Sequence, residues 1–345
     1  MTASYPLFCM GNPLLDMQVV KGEELLKKYN LKANDAILAG KEQEGIYDDI
    51  KKNYEIKYLA GGAAQNAARG AAYNLPPNSV VYAGCVGDDE FAKELRAANA
   101  KEGLTDAYLV KKEESTGACA VVITGHNRSL CTTLRAAEKF ELAHLSSPEV
   151  APLIDAAKFF YVEGFFLTHG TESALYVAKK ASEAGKVFVL NLSAPFIPQF
   201  FKTQLDQLIP YCDYIIGNDS EAKAWAEASG QPDKDDIPAI ARAIALSTKS
   251  NSSRPRTVII TQGAESTVAV TAGENTTPKV YPVQALSDSE IVDTNGAGDA
   301  FAGGLLAALV SEKSLDDAVE IGHKMGSMSV QLSGPSYKWP KVTLF

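Results

Sequence analysis

Short, almost wholly apolar runs, each followed by a longer amphipathic stretch, recur along most of this 345-residue chain. The runs at 80–85, 159–163, 187–192, 214–217, 258–261 and 267–271 have the length and the β-branched or aromatic content of strands. Runs without a polar alternate need both faces covered. The stretches between them, 89–102, 172–184, 220–228 and 237–247, carry helical periodicity. Strand-then-helix alternation specifies an α/β fold with a large, doubly wound, mostly parallel sheet flanked by helices. Two regions break the cadence. Asp16–Tyr58 has no βαβ rhythm, and Thr116–Leu134 reads as a hairpin turning at Thr124–Asn127. Two insertions that leave and rejoin the sheet predict a small β-rich lid from residues 16–59 and 116–138. Residues 1–15, 60–115 and 139–345 then form the large domain. The polar stretch 247–256 reads as a solvated loop.

Bulk charge narrows the partners. Lysine and arginine total 33 against 42 acidic residues, a formal charge of -9. Nucleic acid and anionic membranes select for excess positive charge, so neither is expected as a partner. No run approaches the ~20 apolar residues that span a bilayer, and Met1–Leu7 has no signal-peptide pattern. The five cysteines are odd in number, widely spaced and free of any C-x-x-C, which predicts buried reduced thiols in a cytosolic protein.

The most informative stretch is Asp293–Asp299 (DTNGAGD), running into the apolar segment Ala300–Val310. Two glycines in three residues are costly inside a helix, so Thr294–Gly298 is expected as a loop that opens one. Such a loop aims backbone N–H groups outward at the positive end of the helix dipole, which makes an anion cradle. A carboxylate beside that cradle, Asp299, suits a reaction in which a proton is lost next to an anion, as in phosphoryl transfer to a hydroxyl. Helix N-capping is the alternative use of Asp299.

Three further clusters accompany it. In Ala60–Asn66 (AGGAAQN) the diglycine lets a ligand approach the main chain, and Asn66 can bond a diol; a capped glycine turn is the alternative. Asp16 ends Gly11–Asp16 (GNPLLD), after the first strand, where its carboxylate could accept two vicinal hydroxyls, or simply close a turn. Asn218 and Glu221 sit three apart at a helix mouth, as oxygen groups for Mg²⁺ or as a helix cap. No G-x-x-x-x-G-K-[ST] is present, and Gly296–Gly298 does not continue to G-x-G-x-x-G, because Phe301 takes the third glycine position. That disfavours a P-loop and an NAD-dependent dehydrogenase. None of His126, His144, His169 and His323 forms a zinc pattern, and there is no G-x-S-x-G elbow.

Taken together, Asp293–Asp299 and Gly61–Asn66 resemble the paired signatures of the ribokinase-type (PfkB) sugar and nucleoside kinases. Residues 11–16, 124–130 (TGHNRSL), 163–168 (EGFFLT), 191–196 (NLSAPF), 217–221 (GNDSE) and 261–263 (TQG) resemble the adenosine-phosphorylating branch, in order, over about Leu7 to Gly326. The resemblance implies a ribokinase-like fold and a monomeric, cytoplasmic enzyme, with the nucleus also open, in purine salvage. It would use ATP and Mg²⁺ to phosphorylate the adenosine 5′-hydroxyl. Asp299 would be the base, with Asn295, Gly296, Ala297 and Gly298 as the anion hole and Arg128 as a lid arginine reaching the phosphates. Asn12, Asp16, Gly61, Gly62 and Asn66 would bind the nucleoside, with Leu14, Leu38, Leu130 and Phe166 around the purine and Phe166 able to stack on it. Asn191, Asn218, Thr261, Gln262 and Gly263 would meet ATP, and Asn218 and Glu221 the Mg²⁺, mainly through water. Ala36 and Ala63 depart from the family, standing where some members carry glutamine and serine. A related ribose or fructose kinase, or an inactive nucleoside-binding regulator, are the alternatives. The apolar set argues against the first, and the intact Asp299 and glycines against the second.

Overall fold

The computed structural model describes residues 5–33, 35–125, 127–273 and 276–345. Nine strands form the main sheet, in the order Lys279–Tyr281, Thr267–Thr271, Thr257–Thr261, Tyr214–Asn218, Val187–Asn191, Phe159–Glu163, Leu7–Met10, Val80–Ala83 and Thr105–Asp106. The seven from Thr257–Thr261 onward pair in parallel, and the first two are antiparallel. Alternate side chains of one strand feed opposite faces. Phe8 and Met10 join a core under helices Thr171–Glu183 and Ile237–Leu246. Leu7 and Cys9 join one under helices Ala63–Asn74, Ala297–Val310 and Leu315–Val330. The doubly wound α/β architecture expected from the sequence is therefore present.

The two arrhythmic regions supply a second sheet of five strands, in the order Ala36–Leu38, Asn127–Thr133, Gly117–Thr124, Leu14–Val20 and Lys57–Gly61. Gly117–Thr124 and Asn127–Thr133 are the antiparallel hairpin; His126 of its turn lies outside the described residues. All five cysteines are buried and free. No helix among the described residues is long and apolar enough to cross a membrane. The stretch 247–256 is irregular, but it is not solvated throughout. Arg256 is fully buried and donates to the carbonyls of Cys212, Ile209, Ile244 and Ser247.

Helices Ala63–Asn74 and Ala297–Val310 meet through small residues, and a Cβ placed on Gly303 would lie 2.6 Å from the Ala67 carbonyl oxygen. That close approach sets the distance between the side chains at their two N-termini.

Candidate active site

Two adjoining cavities open at the carboxyl ends of the central strands, where open α/β sheets keep their ligands. The first lies between the main sheet and the second sheet. Asn12, Gly62, Asn66 and Asn295 line it from the side of the main sheet, and Leu14, Asp16, Ala36, Leu38, Cys119 and Leu130 from the second sheet, with Leu134 beside them. The second is lined by Asn191, Ser193, Asn218, Glu221, Thr261 and Gly298. Ala63, Glu163, Phe165 and Asp299 line both.

Asp299 sits on the first turn of helix Ala297–Val310, whose N-cap is Gly296 at φ +78°, a left-handed conformation that suits glycine. The capping alternative for Asp299 is not what the structure holds. Its carboxylate instead accepts a hydrogen bond of 2.9 Å from Asn66 Nδ2. The helix's first i→i−4 bond runs from Ala300 N to Gly296 O, 2.8 Å. The N–H groups of Gly298 and Asp299 come before it and have no intrahelical acceptor. A Cβ on Gly298 would meet nothing within 4 Å, so this backbone faces open space in the second cavity.

Burial pushes the Asp299 carboxyl up to about 6, and the Asn66 bond opposes it. Burial and then the charge of Asp299 push Asp16 up to about 8, with Arg69 opposing. Gly61 leaves room for the Asp16 carboxylate: a Cβ there would fall 2.2 Å from Oδ1. Burial also pushes Glu221 up to about 7. Asn218 and Glu221 form the capping box that was the alternative reading. Glu221 N donates to Asn218 Oδ1 at 2.9 Å, and Asn218 N to Glu221 Oε2 at 2.9 Å. Asn12 is fixed by His169, 2.9 Å from its Oδ1, a ring that burial keeps neutral by lowering its pKa to about 4.

Several expected residues lie elsewhere. Phe166 does not reach the cavity. It is fully buried in the core against Phe140 and His169, and its neighbour Phe165 lines the cavity, packed on Phe196. Residues 164–168 form a 3-10 turn, in which adjacent side chains diverge, so sequence alone could not choose between two consecutive phenylalanines. Arg128 lines neither cavity; its Nε donates to Asp293 Oδ1 at 2.8 Å. Gln262 bonds Ser266 O, and neither it nor Gly263 lines either of these two cavities; Gly61, Gly296 and Ala297 back the site without lining it.

Sequence reasoning missed Glu163 and Asp293. Glu163 is the single charge closing an apolar central strand, and that position was the available signal. Asp293 is 2% exposed and fully engaged. It accepts from Arg128 Nε and Asn295 N through Oδ1, and from Gln18 Nε2 and Gly334 N through Oδ2. The C-terminal segment makes further contacts beneath the site. Tyr337 donates its hydroxyl to Asn66 O at 2.9 Å, and Arg69 reaches Pro335 O at 3.4 Å.

The pattern of the pfkB family carbohydrate kinases matches residues 25–342. An adenosine kinase of Schizophyllum commune is 61% identical over 342 residues, 99% of each chain. The crystal structure of Anopheles gambiae adenosine kinase in complex with P1,P4-di(adenosine-5) tetraphosphate superposes with a TM-score of 0.92 at 41% identity, covering 95% of this chain and 96% of that one. Adenosine kinase from Schistosoma mansoni in complex with 2-fluoroadenosine gives 0.92 at 34% identity, covering 97% and 98%.

Proposed function

The chain belongs to the pfkB family of carbohydrate kinases, and from that premise we propose that it transfers the γ-phosphoryl group of ATP to the 5′-hydroxyl of adenosine, giving AMP and ADP. The observation that carries this reading is the position of Asp299. It is a buried carboxylate held by Asn66 where the two cavities meet, beside an open helix N-terminus.

Adenosine occupies the first cavity. Asp16 accepts the ribose 2′- and 3′-hydroxyls, and Leu38, Leu130, Phe165 and Phe196 enclose the purine. A bare sugar would leave that apolar wall in contact with water. The second sheet, largely residues 16–59 and 116–138, acts as the lid. ATP enters the second cavity beside Asn191, Asn218 and Thr261, and the backbone N–H groups of Gly298 and Asp299 receive phosphoryl charge. Asp299 takes the 5′-hydroxyl proton as the new P–O bond forms.

A divalent cation fits this donor set. Glu163, Glu221 and Asp299 line the second cavity, and no lysine or arginine among the described residues lines it. Among those residues no three stand close enough to hold an ion unaided, which suits Mg²⁺ arriving as the ATP complex. Asn218 and Glu221 would meet it through water, and it would neutralise charge on the triphosphate. The enzyme works as a cytoplasmic monomer.

ADP release measured across adenosine, inosine, ribose and fructose tests the reading. Adenosine should exceed the others in kcat/KM by at least about 10²-fold, as a site built around a specific polar and apolar set discriminates. Faster turnover of ribose or fructose would overturn it.

A further inference from the structure

Asn12 stands just beyond strand Leu7–Met10, is buried and lines the first cavity. Its carboxamide is held at both ends. Nδ2 reaches the carbonyl oxygen of Phe165 at 3.4 Å, and Oδ1 lies 2.9 Å from Nε2 of His169. Both partners come from one short element. The 3-10 turn Gly164–Thr168 buries Phe166, gives Phe165 to the cavities and ends at His169. The imidazole packs on the Phe166 ring, with centroids 5.1 Å apart and planes at 75°.

These contacts fix more than position. A carbonyl oxygen only accepts, so the nitrogen end of the amide faces Phe165 and the oxygen end faces His169. An amide oxygen also only accepts, so His169 carries its proton on Nε2. Its Nδ1 is then a bare acceptor, buried without a hydrogen-bond partner among the described residues. Turning the amide round would set its oxygen against the Phe165 oxygen and leave a buried N–H unpaired on Nδ1, which is the costlier state. Burial, which lowers the His169 pKa to about 4, is in accord with a neutral ring. With its oxygen engaged by His169, Asn12 offers the cavity its amide hydrogen. We propose that His169 is a positioning residue for nucleoside binding: it locks Asn12 as a hydrogen-bond donor to a sugar oxygen, the complement of the acceptor Asp16. The inference rests on the kinase reading above.

Calorimetric binding of adenosine to the full-length enzyme, together with steady-state kinetics, decides the matter. The set is wild type, His169→Leu, His169→Gln, Asn12→Ala and the double variant Asn12→Ala/His169→Leu. Wild type is measured first: no turnover of adenosine is a failure of the kinase reading, whereas turnover without the pattern below is a failure of this inference alone. His169→Leu should weaken adenosine binding by about 3–10-fold, the net worth of one hydrogen bond, and raise KM for adenosine in step. Its kcat and KM for ATP should stay within about twofold of wild type. The glutamine amide can donate in place of the imidazole, so His169→Gln should recover most of the loss. In the Asn12→Ala background His169→Leu should cost nothing further, because the group it positions is gone. An equal loss in both backgrounds would mean that the ring acts through packing, and wild-type affinity in His169→Leu would mean that it positions nothing. Either result overturns the proposal. Long-range ¹H–¹⁵N spectra of the wild-type imidazole supply a readout that needs no variant. The Nε2–H tautomer is expected, and the Nδ1–H tautomer would turn Asn12 round and overturn the proposal even if His169→Leu fails to fold.

Discussion

At the scale of single residues, the site is built from carboxyls that burial biases towards the neutral acid. Asp16 is raised to about 8 by burial and by Asp299, so near neutral pH the free enzyme either protonates it or carries a costly buried charge. On the proposed reading, ribose hydroxyls relieve that by donating to it. Two charge-assisted bonds at ~1.5–3 kcal/mol each imply that Asp16→Ala raises KM for adenosine by roughly two to four orders of magnitude, less what water recovers. KM for ATP should hardly move. Wild type should discriminate strongly against 2′,3′-dideoxyadenosine and Asp16→Ala should not; a crippled variant that still discriminates would place Asp16 outside the ribose site. Asp299, raised to about 6, must be ionised to act as a base. The wild-type kcat/KM should therefore climb with pH through that value, and Asn in its place should lower kcat by about 10²–10⁴-fold. Asp299 was legible as a sequence motif because it opens a helix, and Asp16 because it follows closely on the first strand, although it lies inside the next strand, Leu14–Val20, and not at a turn. Glu163 and Phe165 were not, because which way a residue turns at the end of a strand is decided by packing.

At the scale of elements, the pair of helices that brings Asn66 to Asp299 depends on having almost nothing between them. Gly303→Ala forces its Cβ towards the Ala67 carbonyl, 2.6 Å away before any shift. Overpacking of this kind costs about 1–3 kcal/mol. Spreading the helices also stretches the Asn66–Asp299 bond, so kcat should fall along with the thermal midpoint. Gly298→Ala is the control on the same helix: it has open space around it, so it should melt like wild type and lose phosphoryl transfer alone. A Gly303→Ala enzyme that melts early yet turns over at the wild-type rate would separate helix spacing from catalysis. The main sheet was readable because each apolar strand is local in sequence and followed by its covering helix. The order of the second sheet was not. Leu14–Val20 pairs in parallel with Gly117–Thr124, about a hundred residues away, and nothing local encodes that register. The buried Arg256 escaped for the same reason, since its carbonyl partners come from several elements.

At the scale of the whole molecule, the concentration of buried carboxyls ties stability to pH. A folded pKa raised above the unfolded one means that the native state binds more protons, so stability is lost as pH rises through the folded value. Asp16 at about 8 and Glu221 at about 7 place that loss in the neutral range. The thermal midpoint of the ligand-free enzyme should therefore rise as pH falls from 8.5 to 6.5. Below 6.5 the buried His169, lowered to about 4, opposes the trend, because the unfolded imidazole gains a proton that the folded one refuses. Melting curves over that range check it, and Asp16→Asn should flatten the slope. The topology has a further consequence, for shortened chains. The loop at Asp293 is secured to Gly334, and Asn66 through its carbonyl to Tyr337, while Asp293 also meets Gln18 and Arg128. The site thus joins segments about three hundred residues apart in sequence. A chain that stops short of residue 334 lacks the groups that fix the loop, so truncated products should neither turn over ATP nor hold the nucleoside.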